Sequence, residues 1–375
     1  MKKKILLITV NRSDYGIQKN LIKILNQDKN IDFGLLVTGT HLDRKYGYTI
    51  NEIYDDGIKI KKKIKLNQTN YNSDEVITIL SDGIKINYKF YKSVKPDLII
   101  ILGDRYEMLS AAIPCIFLKI PIAHIHGGEK TEGSFDDRFR NILTEISSLH
   151  FTCHDIYKKR VIEIKNSKKG VYNFGSLSVE NIKNFNFKSR NDIIKKFNIN
   201  FRKKNILITY HPETNNTYYS IKSFNNILEA VSKFKEINFF FTSPAPDPGN
   251  YDIIKSIMKF CKNNNNAFYI KSLGRDYYFS LLNNVDAVLG NSSSGIIEAP
   301  SFKIFTINIG SRQNGREKSK SIIDCADSSS EIVKKIKKIY TFPYKKKIKK
   351  NYNIFYKPNT SKNIISELKN FLKLN

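Results

Sequence analysis

Short apolar runs separated by longer segments of helical period recur along this chain, and the rhythm starts afresh near residue 205. Runs at 5–10 (ILLITV), 33–39 (FGLLVTG), 97–102 (DLIIIL), 121–125 (PIAHI) and 149–153 (LHFTC) read as buried strands. Helix-period segments over 15–26, 74–93 and 105–118 lie between them. The second series runs through 205–210 (NILITY), 238–243 (NFFFTS), 267–270 (AFYI), 286–290 (DAVLG) and 303–309 (KIFTINI). Strands buried on both faces and joined by crossover helices make parallel sheets. The restart therefore predicts two Rossmann-like, doubly wound α/β domains, and 375 residues exceed what one core usually supports. The boundaries fall at 1–180 for an N-terminal domain, 181–345 for a C-terminal domain and 346–375 for a tail, with a terminal helix starting at Thr360. The polar interval 180–204 is the expected link. Ligands of open parallel sheets bind outside the carboxyl ends of strands, and the polar clusters of this chain fall at such ends. A ligand cleft with the two domains facing across it is the expectation.

Several classes are excluded on composition. The amino-terminal apolar run is cut by Asn11 and Arg12, too early for a secretory signal. The stretch from 98 to 126 carries Asp104, Arg105 and Glu107, which a membrane span would not hold unpaired. A cytoplasmic protein with no membrane partner is expected. Cys115, Cys153, Cys261 and Cys325 show no paired spacing, which argues against a disulfide framework or a structural zinc site. The net charge of +28 invites a nucleic-acid reading. Lysine, asparagine and isoleucine are used heavily from end to end, and the basic runs at 334–338 and 345–350 come with no nucleic-acid-binding motif. No nucleic-acid partner is expected, although a positive field favours an anionic substrate.

The motifs at strand ends each carry two readings. In VNRSDYG (10–16), Asp14 caps the next helix or Arg12 reaches a phosphate; the segment is not a GxGxxG fingerprint. In LGDRYE (102–107), Asp104 and Arg105 form a buried salt bridge, or Asp104 is an acid or base whose ionisation a neighbouring cation controls. In IAHIHGGEKTEGSFDDR (122–138), His124 and His126 are not expected to share a metal. Gly127 and Gly128 allow close backbone approach to a ligand. Glu129, Glu132, Asp136 and Asp137 supply carboxylates, some of them capping a helix that starts near 136. His211 in TYHPET is a core histidine or a functional one, and SPAPDPGN (243–250) is a rigid turn. In GNSSSGIIEAP (290–300), small hydroxyl residues at a helix start offer N–H and O–H donors to a diphosphate, beyond what an ordinary serine cap needs. Glu298 suits ribose hydroxyls, and Arg312 and Arg316 in NIGSRQNGRE suit phosphates.

Taken in order, NRSDYG, LGDRYE, HIHGGEKTEGSFDD, HPET, GNSSSGIIEAP and NIGSRQNGR closely resemble the UDP-N-acetylglucosamine 2-epimerase family over about residues 4 to 325. The nearest likeness is to its hydrolysing branch in sialic acid and legionaminic acid synthesis. The resemblance implies a GT-B-like pair of domains and a nucleotide-sugar substrate, a homodimer or homotetramer, and no metal or other cofactor. It implies C2 deprotonation, elimination of UDP and hydration of the resulting glycal. By the same resemblance, Asp104 and Asp136 are catalytic acids and His211 lies near the leaving diphosphate. Ser292, Ser293 and Arg312 bind phosphate, Glu298 binds ribose, and Arg12, Asp14 and Arg105 are nucleotide contacts. Many relatives carry Glu where this chain has His126, which leaves one acid/base role open between His126 and Glu129. Ala245 stands where some members have Asn. Alternatives within the resemblance are the same reaction on a UDP- or GDP-linked diacetylbacillosamine and a non-hydrolysing epimerase. From another class, a GT-B glycosyltransferase would share the serine-rich segment without needing the acid clusters.

Overall fold

The computed structural model describes residues 2–66, 73–131, 136–183, 185–213, 217–244 and 249–374. Glu132 and Ala245, both singled out above, lie outside the described residues. The chain divides into two compact units, one of residues 1–129, 136–183 and 355–375, the other of residues 130–135 and 184–354.

The first unit holds a seven-stranded sheet: β1 (Lys3–Thr9), β2 (Ile31–Thr38), β3 (Ile60–Ile64), β4 (Leu98–Leu102), β5 (Ile122–Ile125), β6 (Leu149–Thr152) and β7 (Val171–Asn173). Their order is β3-β2-β1-β4-β5-β6-β7, and the pairings are parallel. Alternate residues divide between two cores. Ile5, Leu7, Leu35, Leu98 and Ile100 enter one, while Leu6, Ile8, Leu36, Ile99 and Ile101 enter the other. That division is why LIIIL (98–102) is apolar throughout rather than alternating.

The second unit repeats the plan with β8 (Lys204–Thr209), β9 (Ile237–Thr242), β10 (Ala267–Ile270), β11 (Ala287–Gly290), β12 (Phe305–Ile309) and β13 (Ile322–Cys325), ordered β10-β9-β8-β11-β12-β13. All its ladders are parallel. In each sheet the direction of chain progression reverses once, between β1 and β4 and between β8 and β11. At such a reversal the following helices go to opposite faces and the strand ends open into a crevice.

The carboxyl-terminal helix Thr360–Phe371 belongs to the first unit, where Ile364, Ile365 and Leu368 join the core beside helix Arg12–Gln27. The Glu180 carboxylate accepts from the Ser361 N–H at 3.0 Å, placing negative charge at that helix's positive end. Among the described residues, no helix is long and apolar enough to cross a membrane.

Candidate active site

Both strands flanking the reversal of the first sheet end in ionisable residues. After β1, Asn11 caps the helix Arg12–Gln27, its side chain accepting from the Asp14 N–H at 3.0 Å. Asp14 is therefore not the cap. It is buried, and its Oδ2 has no hydrogen-bond partner among the described residues. Burial raises the Asp14 carboxyl to about 7; Arg105 opposes the shift and Glu107 and Asp104 reinforce it. Burial lowers the Arg12 pKa, partly offset by Glu52.

After β4, Asp104 and Arg105 do not pair with each other. The Arg105 fork donates to both oxygens of Glu107, Nε at 3.1 Å and NH2 at 3.1 Å. Asp104 instead pairs with Arg140, which rises from helix Asp136–Ile146. The Arg140 side chain is 3% exposed and also donates from NH1 to the Glu129 carbonyl at 2.7 Å. Burial works against its charge, yet the carboxylates of Asp104, Glu129, Asp137 and Asp136 hold its pKa above the ordinary value. Arg140 escaped the sequence reading. Its signal was the DDRFR spacing, which puts it one helical turn after Asp136 and Asp137 and hence on their face. Asp136 opens the helix, half-buried, and the acidic first turn falls where expected.

β5 ends at Ile125, so His126 does not continue the strand; it sits beyond it at φ 64°. It therefore leaves the strand face that it would otherwise share with His124. His124 is a core residue: its Nε2 lies 2.7 Å from the Gly103 carbonyl, its Nδ1 lies 3.3 Å from Thr144 Oγ1, and burial lowers its pKa to about 4. His126 is held through its N–H, which donates to the Phe151 carbonyl at 2.9 Å. Its Nδ1 lies 2.6 Å from Glu129 Oε1, and Cys153 Sγ donates to the same oxygen at 3.2 Å. A carboxylate only accepts, so Nδ1 carries the hydrogen and neutral imidazole keeps its basic lone pair on Nε2. That Nε2 is buried and has no partner among the described residues.

His126, Glu129 and Cys153 bring ligand-type atoms within 4.8 Å of one another. The 2.6 Å contact is nevertheless that of a hydrogen bond; two nitrogen or oxygen ligands of one tetrahedral zinc sit about 3.3 Å apart. Both glycines are packed closely against neighbouring residues. A Cβ on Gly128 would stand 2.4 Å from the Tyr157 carbonyl, and one on Gly127 would meet His124 and Thr144 at 3.1 and 3.2 Å.

In the second unit, the reversal brings together the ends of β8 and β11. At Gly290 (φ 136°) a Cβ would stand 2.0 Å from the Thr209 carbonyl, so only glycine permits this approach. Beyond it, Ser292 caps the helix Ser293–Ile297, its hydroxyl accepting from the Ser294 N–H at 3.4 Å. Ser292, Ser293 and Ser294 are all half-buried. The helix has 5 residues, so its anion affinity lies in individual N–H and hydroxyl groups more than in an axial dipole. Tyr278 donates to Ser294 Oγ at 2.6 Å and faces the charge of buried Glu298.

Half-buried His211 follows β8, and burial, then Arg312, pushes its pKa down to about 3. Its imidazole is neutral at physiological pH. Arg312 NH1 donates to the Asn291 carbonyl at 3.2 Å and its field also acts on Glu213. Arg316 is buried and engages residues 130 and 131. Its Nε donates to the Lys130 carbonyl at 2.8 Å and NH2 to Thr131 Oγ1 at 3.2 Å. Asn291, Gln313 and Tyr278 were missed as individual residues, although the first two lie inside quoted motifs.

Two doubly wound units, with acids after the switch strands of the first and a histidine and a serine-rich turn after those of the second, put the chain among two-unit α/β proteins with ionisable groups at their switch points. It belongs to the UDP-N-acetylglucosamine 2-epimerase family, which residues 23–369 match. It is 37% identical over 324 residues, 86% of this chain and 84% of the relative, to a GDP/UDP-N,N'-diacetylbacillosamine 2-epimerase (hydrolyzing) of Campylobacter jejuni. It is 35% identical over 335 residues, 89% and 85% of the two chains, to polysialic acid biosynthesis protein P7 of Escherichia coli. Its fold is that of a UDP co-structure of MnaA from S. aureus, with a TM-score of 0.83 at 19% identity, covering 100% of this chain and 98% of that one.

Proposed function

We propose that this enzyme is a hydrolysing nucleotide-sugar 2-epimerase that converts UDP-N-acetylglucosamine to N-acetylmannosamine and UDP. A base removes the C2 proton, the C1–O bond to UDP breaks, and its loss leaves a C1=C2 double bond. Water then adds its oxygen to C1 while an acid delivers a proton to C2 from the opposite face. The proton-transfer groups are Asp104, Asp136 and the His126–Glu129 pair, with Nε2 of His126 as the exchanging atom and Glu129 as its partner. His211, Ser292, Ser293 and Arg312 hold the departing diphosphate, Glu298 the ribose, and Arg12, Asp14 and Arg105 the rest of the nucleotide. His211 donates a hydrogen bond to the leaving group.

The observation carrying this reading is the His126–Glu129 hydrogen bond at 2.6 Å beside the Asp104–Arg140 pair. A glycosyltransferase has no use for such a set at a sugar carbon. The 37% identity to a diacetylbacillosamine 2-epimerase supports a second reading, the same chemistry on a UDP- or GDP-linked diacetylbacillosamine. Incubating the purified protein in deuterated water with each nucleotide sugar, followed by NMR, tests both. Free 2-epimer carrying deuterium at C2, with released nucleoside diphosphate, is expected. An epimer still bearing its nucleotide, or release without C2 exchange, refutes the hydrolysing mechanism, and the substrate turned over decides between the two sugars.

A further inference from the structure

The end of β8 and the start of the serine-rich turn are joined by one side chain. The β8–β11 ladder ends with Gly290 paired to Thr209, and the Asn291 N–H donates to the Thr209 carbonyl at 3.2 Å. From there the backbone of β11 turns away toward Ser292. The Asn291 side chain takes its place: Oδ1 accepts from the His211 N–H at 2.7 Å, and Nδ2 donates to the His211 carbonyl at 2.8 Å. An amide facing a backbone residue with one acceptor and one donor reproduces a rung of the sheet. His211 is thus held as if the ladder ran one residue longer. The Asn291 carbonyl, released from the ladder, accepts from Arg312 NH1 at 3.2 Å and from Gln313 Nε2 at 2.8 Å. Asn291 and Gln313 are both 0% exposed, so water replaces neither set of bonds.

We propose that Asn291 is a positioning residue that fixes His211 and Arg312 in one frame with the serine-rich turn, and that Gln313 locks it in place. The inference rests on the reading of His211 and Arg312 as diphosphate-facing groups. Five bonds converge on this fully buried residue, and the two from its side chain set where His211 stands when the C1–O bond breaks. Ground-state grip on the nucleotide comes from Ser292, Ser293 and Arg312 and does not pass through the Asn291 amide. The two contributions therefore separate in kinetics.

The test uses the full chain as Asn291→Ala and Gln313→Ala, with steady-state kinetics on the nucleotide sugar that the wild type turns over, UDP affinity by calorimetry, and NMR of the imidazole of His211. Displacement of about 1 Å costs on the order of 100-fold. Asn291→Ala is expected to lose roughly 10- to 100-fold in kcat, with KM and UDP Kd within about threefold of wild type. Gln313→Ala is expected to show the same split at smaller size. Wild-type kcat in a folded Asn291→Ala protein overturns the proposal, as does a parallel fall in kcat and UDP affinity. If Asn291→Ala fails to fold, the Gln313→Ala split decides alone. A wild type that turns over no nucleotide sugar sinks the assigned activity instead. The clamp is then judged by the His211 ring signals, which move in Asn291→Ala if it positions the ring and stay in place if it does not.

Discussion

The Asp104–Arg140 pair should behave as one unit whose loss is felt unequally from its two sides. Arg140 is 3% exposed and Asp104 is 20% exposed, so the cation is the deeply desolvated partner. Asp104→Asn leaves Arg140 with the Glu129 carbonyl at 2.7 Å and Asp137 at 3.8 Å, a partial set of counter-groups. Orphaning a buried charge costs about 3–5 kcal/mol, and these remaining partners bring the expectation for Asp104→Asn to about 2–3 kcal/mol. Arg140→Met frees an Asp104 that can hydrate, but strips the Glu129 carbonyl of its 2.7 Å donor, with Arg160 NH1 at 3.5 Å to take over. Its cost should be about 2–4 kcal/mol. At about 4 Å and an effective dielectric of about 20, opposite charges attract by about 4 kcal/mol. Water at Asp104 halves this, so the double variant should fall short of the summed single costs by about 2 kcal/mol. Hydrogen exchange over Leu98–Leu102 and Ile122–Ile125 reads the first unit by itself. A coupling below about 0.5 kcal/mol would falsify the pairing argument. With a typical total stability of about 5–15 kcal/mol, Asp104→Asn stays folded at 25 °C. Its expected loss of nucleoside diphosphate release, with UDP affinity retained, is then chemical; wild-type turnover would remove Asp104 from the mechanism.

Two further expectations concern the surroundings of the acid cluster. His124 and His150 have pKa values lowered by burial to about 4 and about 3, so the unfolded chain binds protons below about pH 6.5 that the folded chain refuses. Their contribution is complete above that pH and declines by about 1.4 kcal/mol per pH unit for each ring as pH falls toward 4. His150→Phe should make acid denaturation of the first unit shallower, and an unchanged pH slope would show that His150 is already charged in the fold. Gly128→Ala forces a Cβ to 2.4 Å from the Tyr157 carbonyl at φ 78°. A cost of about 2–4 kcal/mol is expected, with kcat falling as Glu129 is displaced; an activity and melting temperature equal to wild type would refute it.

The strands that sequence periodicity revealed and those it missed differ in where they lie. Ten apolar runs were legible, among them every interior strand of both sheets, because a strand buried on two faces must be apolar at nearly every position. β3, β7 and β13 escaped, and all three are edge strands. In β3 the sequence IKKKI buries one end and exposes the middle, because a strand with a neighbour on one side has little to exclude from water. The ends of the legible runs lie within two positions of the strand ends, and the run at 267–270 coincides with its strand.

The site residues follow the same division. Motifs at strand ends were visible because glycine, serine and acidic residues interrupt apolar runs, so Asp104, Glu129, His211 and Ser292 stood out by type. Partnership was not visible, because a partner is chosen in three dimensions. Asp104 stands next to Arg105 in the chain and pairs with Arg140, 36 residues away, since β4 and helix Asp136–Ile146 converge at one sheet edge. His126 looked like the continuation of a strand, and only its left-handed backbone turns it toward Glu129. That turn decides the chemistry. An extended His126 would instead share the sheet face of His124, whose ring is buried against Gly103 and Thr144. The strained φ of 64° is thus what converts a histidine in a hydrophobic sequence into an oriented base with Nε2 left open.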